Sequence, residues 1–211
     1  NIPFLEYVSS NNLPLDFYTF HCYTYGSEQA YEFLEVMKKN LNKYGYGGIP
    51  AYITEWNFVP RGDDGRIWWD CMPTYDQLKK TAMFRRMVSA EGASHVAMFM
   101  SLLQDTFVSQ ANFYQASPEG RFSCFDKYCM PEKNYYALLA FKNLYDLGTQ
   151  VEAFFEKKLV DASVLAATDE KTGKILISNL NNPEEEYNMI ITGSFEKLVS
   201  VKVLNNNLDL M

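Results

Sequence analysis

At 211 residues and 47% hydrophobic, the chain is long enough to bury a sizeable core in one or two domains. Its net charge of −7 argues against nucleic acid or an anionic membrane surface as the main partner, whereas a neutral partner such as a sugar carries no penalty. No apolar run reaches the ~18 residues of a membrane-spanning helix, and no signal peptide is visible.

In chain order, Leu15–Tyr23 (LDFYTFHCY) reads as a first strand, closed by Gly26. Ser27 to Tyr44 follows with Tyr31, Phe33, Leu34, Met37 and Leu41 near a helical period and Ser27 as its N-cap. Gly45, Gly47 and Gly48 end that helix, and Pro50 to Glu55 reads as a second strand. A long loop carries RGDDGRIWWD, then a helix is expected from about Tyr75 to Ala90, with Gly92 after it. His95 to Leu102 (HVAMFMSL) reads as a third, buried strand, and Glu132 to Leu147, behind Pro131, as a further helix. Three βα units predict a parallel sheet covered by helices, and the longer loops after the strands are where barrel enzymes place their sites.

The pattern changes after Gly148. Four or five short alternating strands, broken by a hairpin turn at Asp169–Gly173 and a second turn holding Pro183, predict a small antiparallel sheet or β-sandwich over residues 149–211.

If the sheet is parallel, three strand ends meet at one rim. They bring His21, Cys22 and Tyr23; Glu55, Trp56 and Asn57; and Ser101 with Gln104–Asp105. A rim carboxylate suits glycoside hydrolysis, where one carboxylate attacks the anomeric carbon while a second, ~5–5.5 Å away, protonates the leaving oxygen. The attacking carboxylate must be ionised, which donors such as Tyr23 or His21 favour. Blander readings stand beside these. Glu55 could pair with Arg61 or Arg66, His21 could be a satisfied core histidine, and Asp105 could cap a turn. Trp68–Trp69 could be a sugar platform or an ordinary loop cover, and RGD at Arg61–Asp63 reads as a chance tripeptide. Cys22, Cys71, Cys124 and Cys129 are not spaced with His21 and His95 as a zinc site requires, so thiols are expected, with a Cys124–Cys129 bridge left open.

DFYTFHCYT and YITEWN resemble the sixth and seventh strands of clan A glycoside hydrolases, most closely family 39, which includes β-xylosidases and α-iduronidases. The resemblance implies Glu55 as nucleophile, His21 and Tyr23 as contacts to sugar and nucleophile, and Trp56, Asn57 and Asp105 as substrate-binding residues. SHVAMFMSLLQD is similar to the eighth strand and its loop, although the Trp often present there is absent. PEKNYYALLAFKNL resembles the last barrel helix, and KILISNLN the β-sandwich behind the barrel. The implied architecture is α/β: residues 1–148 as the C-terminal portion, about strands 6–8, of a (β/α)8 barrel, and 149–211 as the sandwich.

The family's acid/base Glu sits in an Asn-Glu-Pro motif, and no such tripeptide occurs here. A full barrel needs eight βα units in about 250 residues. With three units and a start at Asn1, the expectation is the C-terminal portion of a longer enzyme. Its barrel would be completed by an N-terminal partner chain, a cleaved precursor or a second copy, rather than a lone folded monomer. Implied partners are a glycoside or oligosaccharide substrate, with no nucleic acid and no membrane; no metal or organic cofactor is implied. The alternative is a non-catalytic carbohydrate-binding or regulatory protein derived from such an enzyme.

Overall fold

The computed structural model describes residues 2–62, 65, 77–118, 121–157, 159–182, 188–192 and 200–210. Its elements are α1 Ile2–Ser10, β1 Tyr18–Thr24, α2 Ser27–Lys43, β2 Ala51–Phe58, α3 Gln77–Val88, α4 Ala90–Leu103, β3 Val108–Phe113, α5 Lys133–Tyr145, β4 Thr149–Val151, β5 Ala162–Thr168 and β6 Gly173–Asn179. Strands β1, β2 and β3 form one parallel sheet in that order. Strands β4, β5 and β6 form a second, antiparallel one.

Alternation along β1 decides which face of the parallel sheet is covered. Tyr18, Phe20, Cys22 and Thr24 are buried, while Thr19 and His21 between them are exposed. The buried row joins Leu34 and Leu41 of α2, Ile53 and Trp56 of β2, and Val96 and Phe99 of α4 in one core. Among the described residues, α2 and α4 pack on this face. The other carries Thr19, Tyr52 and Gln110 in a cross-strand row, and neither outer strand pairs its far edge with a described strand.

The third strand lies elsewhere than expected. His95–Leu102 belongs to α4, and the strand beside β2 is Val108–Phe113. A short apolar run fits a buried helix as well as a buried strand. Here Ser89 caps the helix, accepting from the Glu91 amide at 3.2 Å. The run is apolar on nearly all sides because α4 lies between the two sheets. Phe99 packs on Trp56 at 4.8 Å between ring centroids, and on its other side the Ser94 carbonyl accepts from the Ser178 hydroxyl of β6 at 2.6 Å.

Ser27 is likewise not the N-cap of α2. Gly26 holds that position, with no side chain of its own to cap. The Asp169 hairpin forms as expected, its Oδ1 accepting from the Lys171 and Thr172 amides at 2.7 and 2.6 Å. Among the described residues the C-terminal region forms this single sheet plus an isolated bridge between Leu204 and Asp209, so a second sandwich layer is not among them. Pro183, Arg66, Asp63, Trp68, Trp69 and Cys71 lie outside the described residues. Cys22, Cys124 and Cys129 are free thiols, and burial pushes Cys22 up to about 12 and Cys124 up to about 11.

His95 is fully buried between Phe58 and Phe99, and its Nε2 meets the Thr24 hydroxyl at 3.0 Å. Nδ1 has no partner among the described residues. Burial holds the imidazole neutral, its pKa lowered from 6.5 to about 3. The unfolded chain therefore binds a proton that the folded chain refuses. Stability from this source is complete above pH 6.5 and is lost as the pH falls below it. The expected slope is up to about 1.4 kcal/mol per pH unit. Denaturant unfolding at successive pH values should show this acid loss in the parent and a shallower one in His95→Gln; equal slopes would contradict the assignment.

Candidate active site

A bulge in β2 decides where Glu55 points. In the register, Phe20 pairs with Ile53 but His21 pairs with Glu55, so β2 spends one more residue than β1 across this step. It spends one more than β3 as well, since Ile53 pairs with Ala111 and Trp56 with Phe113. Thr54 is the extra residue, and its hydroxyl donates to the Phe20 carbonyl at 3.4 Å. Side chains alternate faces along a regular strand, which would send Glu55 to the helix side with Ile53. One inserted residue reverses that parity. Glu55 reaches the open face beside His21, and Trp56 falls into the core beside Cys22.

On the open face Glu55 has two partners. The Tyr23 hydroxyl donates to Oε2 at 2.8 Å, and His21 Nδ1 lies 3.2 Å from the same oxygen. His21 and Tyr23 share this face because they are two apart on β1, and their rings meet edge-on at 6.4 Å. Burial, then the hydrogen bond and charge of Glu55, raise the Tyr23 phenol far above its ordinary range, so it stays a donor. The carboxylate is about one-third exposed and the imidazole about half, 34% and 54%, so this rim is open to a ligand.

The other expected ligands sit differently. Trp56 is 1% exposed, its ring packed against Phe99 and Phe113, so it builds the core rather than a sugar contact. Asn57 is fully buried: Nδ2 donates to the Tyr114 carbonyl and, at 2.8 Å, to the Phe122 carbonyl, while Oδ1 accepts from the Phe58 amide at 2.6 Å. Its amide is committed to the loop that follows β3. Asp105 precedes β3 and lies at the N-terminal end of the sheet, opposite Glu55, where its Oδ1 accepts from Gln150 at 3.4 Å. Ser101 is in α4, its hydroxyl donating to the Ala97 carbonyl at 2.8 Å. Arg61 lies over the Tyr25 ring, 3.8 Å from its centroid, and no described contact joins it to Glu55.

Two aromatic residues belong to the rim instead. Tyr114 follows β3 directly, and Phe122 packs edge-on against both Tyr23, at 6.1 Å, and Tyr114, at 5.9 Å. The Gln115 amide donates to the Phe122 carbonyl at 2.6 Å, closing this loop on itself. Locating the third strand at 95–102 hid both residues, because it placed the strand end eleven positions too early. The run VSQANFYQ, ending in paired aromatics, is the signal that marks the true end.

Among the described residues no group of three or more His, Cys, Asp or Glu side chains is arranged to hold a metal ion. No helix among them is long and apolar enough to cross a membrane.

Replacing Asn57 by Ala should leave the Tyr114 carbonyl and the Phe58 amide without their Asn57 partner, while the Phe122 carbonyl keeps the Gln115 amide. The expected loss is about 2–6 kcal/mol in denaturant unfolding, at about 1–3 kcal/mol for each of the two unsatisfied groups. Amide exchange should rise at 114–124 before it rises in the strands. A near-neutral Asn57→Ala would show that the loop is held by other means.

No protein-family model matches the sequence, and no curated protein matches it. Solved structures do. A glucosidase from Croceicoccus marinus aligns over 86% of this chain with a TM-score of 0.61 at 17% identity. A GH39 β-xylosidase from Caulobacter crescentus aligns over 82% with a TM-score of 0.55 at 17% identity. A monomeric β-xylosidase from Caulobacter crescentus CB15 aligns over 88% with a TM-score of 0.56 at 15% identity. The aligned region is 36%, 34% and 38% of those chains, so this chain shares the fold of about a third of each.

Proposed function

We propose that the chain carries the nucleophile side of a retaining glycoside hydrolase site, with β-xylosides as the substrate class. The observation that carries this reading is the convergence of Tyr23 and His21 on one oxygen of Glu55, at neighbouring C-terminal strand ends on an open sheet face. Fold similarity to glycosidases, a GH39 β-xylosidase among them, supports it.

On this reading Glu55 attacks the anomeric carbon through Oε1, the oxygen that accepts from no described residue. Tyr23 and His21 hold Oε2, fixing the carboxylate plane and stabilising its charge until the bond to sugar forms. Tyr114 and Phe122 wall the same rim, and His21 offers its remaining ring nitrogen to a sugar hydroxyl. The acid/base carboxylate, ~5–5.5 Å away in such sites, comes from strands outside this chain.

Those strands would also extend the sheet. Three strands do not close a barrel, and parallel sheets are ordinarily covered on both faces. We read residues 1–148 as barrel strands six to eight with their helices, and 149–211 as the β-sandwich accessory domain behind the barrel. A preceding segment, a partner chain or a second copy then supplies the rest of the barrel.

Incubating the protein, with and without a candidate N-terminal partner, with an activated 2-deoxy-2-fluoro-xyloside tests the assignment. The peptide containing Glu55 should gain one fluoroxylosyl group in the completed enzyme, and Glu55→Gln should gain none. Tyr23→Phe should slow trapping on the order of 10²-fold, as the loss of one preorganised donor does elsewhere. No adduct, or an adduct on another residue, would overturn the catalytic role and leave a carbohydrate-binding protein built on the same cleft.

A further inference from the structure

Helix α2 opens on a glycine, so its first amides have no cap within their own segment. The missing acceptor comes from 134 residues further along the chain. Asp161, immediately before β5, accepts from the Ser27 amide through Oδ1 at 2.6 Å and from the Ser27 hydroxyl at 3.2 Å. The exchange is reciprocal, because the Asp161 amide donates to Ser27 Oγ at 2.9 Å.

Asp161 is itself held in place. Asn181 donates to Oδ2 at 2.9 Å and the Leu180 amide donates to the backbone carbonyl at 2.8 Å. Its φ of 57° is in the left-handed region, which Asp tolerates better than most residues. Gly26 makes room for it: a Cβ there would meet Asp161 Oδ1 at 2.5 Å. Its φ of −170° is ordinary extended backbone, so close approach accounts for the glycine.

The capped turn is the one that ends β1. Thr24 is held by His95 through its hydroxyl and by the Val59 amide through its carbonyl, and Tyr25 lies under Arg61. Tyr23 is the next residue back. We infer that Asp161 is a positioning residue, through which the antiparallel sheet caps α2 from outside and fixes the β1–α2 turn that aims Tyr23 at Glu55. Its consequence for catalysis rests on the glycosidase reading above; the clamp itself does not.

Asp161→Ala, Asp161→Asn and Gly26→Ala in the purified protein test this, with tyrosine labelled at the phenolic carbon for NMR. The Tyr23 signal is assigned by its loss in Tyr23→Phe, and Glu55→Gln shows where it moves without the carboxylate bond. Asp161→Ala and Gly26→Ala should raise amide exchange across 24–30 by about five- to tenfold, the usual effect of a lost cap. Both should shift the Tyr23 signal toward its Glu55→Gln position and, in the completed enzyme, slow fluoroxyloside trapping. Asp161→Asn, which keeps an acceptor for Ser27, should stay close to the parent. Gly26→Ala keeps the aspartate, so it still decides the matter where Asp161→Ala does not fold.

A fall in overall stability with Tyr23 exchange, signal and trapping rate unmoved would overturn the inference and leave Asp161 a purely structural contact. If the parent protein, completed by its N-terminal partner, traps no sugar, the glycosidase reading fails, and the NMR and exchange results still decide the clamp.

Discussion

One extra residue in β2 governs the rest of the site. Without Thr54 as a bulge, strand alternation would point Glu55 at Phe99 and the helices, and would turn Trp56 outward. A carboxylate in that core would face the apolar side chains of Phe99 and Val96, and desolvating it costs several kcal/mol unless it is neutralised. With the bulge, the same seven letters AYITEWN bury an indole on one side and present a carboxylate on the other. Both neighbouring strands register the inserted residue, so the device belongs to the whole sheet.

The two faces of that sheet then take different roles. The helix side is closed by large side chains, Phe20, Ile53, Trp56 and Phe99, and its rigidity fixes the backbone from which Tyr23 and Glu55 project. On the open side Thr19, His21 and Tyr23 of β1 lie beside Tyr52 and Glu55 of β2, and the bonds of Tyr23 and His21 to Glu55 order its C-terminal end. Asn57 links the two levels: it is a buried side chain at the end of β2 whose amide ties both ends of the loop after β3. Helix α4 extends the arrangement to the C-terminal sheet, since it packs on Trp56 with one side and on β6 with the other. What resembles an appended sheet is thus in contact with the core behind the site.

Much of this was legible in the sequence. Period-two burial in YTFHCYT and the acceptor-rich end of AYITEWN are strong local signals, and they placed His21, Tyr23 and Glu55 at one rim. Parity was not legible, because a bulge has no side-chain signature of its own when the inserted residue is a threonine. The resemblance alone gives Trp56 and Asn57 to the sugar, whereas in the structure Trp56 packs in the core and Asn57 holds a loop. The HVAMFMSL run misled for a different reason. A helix enclosed on nearly all sides loses its amphipathic period and reads as a buried strand, and that error carried Asp105 to the wrong end of the sheet. The reach of Asp161 to Ser27, across 134 residues, is a tertiary contact that no local pattern encodes.

The parity of β2 can be measured directly by placing a single cysteine at position 53 or 55 and following thiol modification by peptide mass spectrometry under native conditions. The two positions are two residues apart, so a regular strand would expose both or protect both. The bulge predicts that Glu55→Cys reacts as a surface thiol, while Ile53→Cys reacts at least about 10²-fold more slowly, limited by opening of the core. Equal protection or equal reactivity at the two positions would contradict the account.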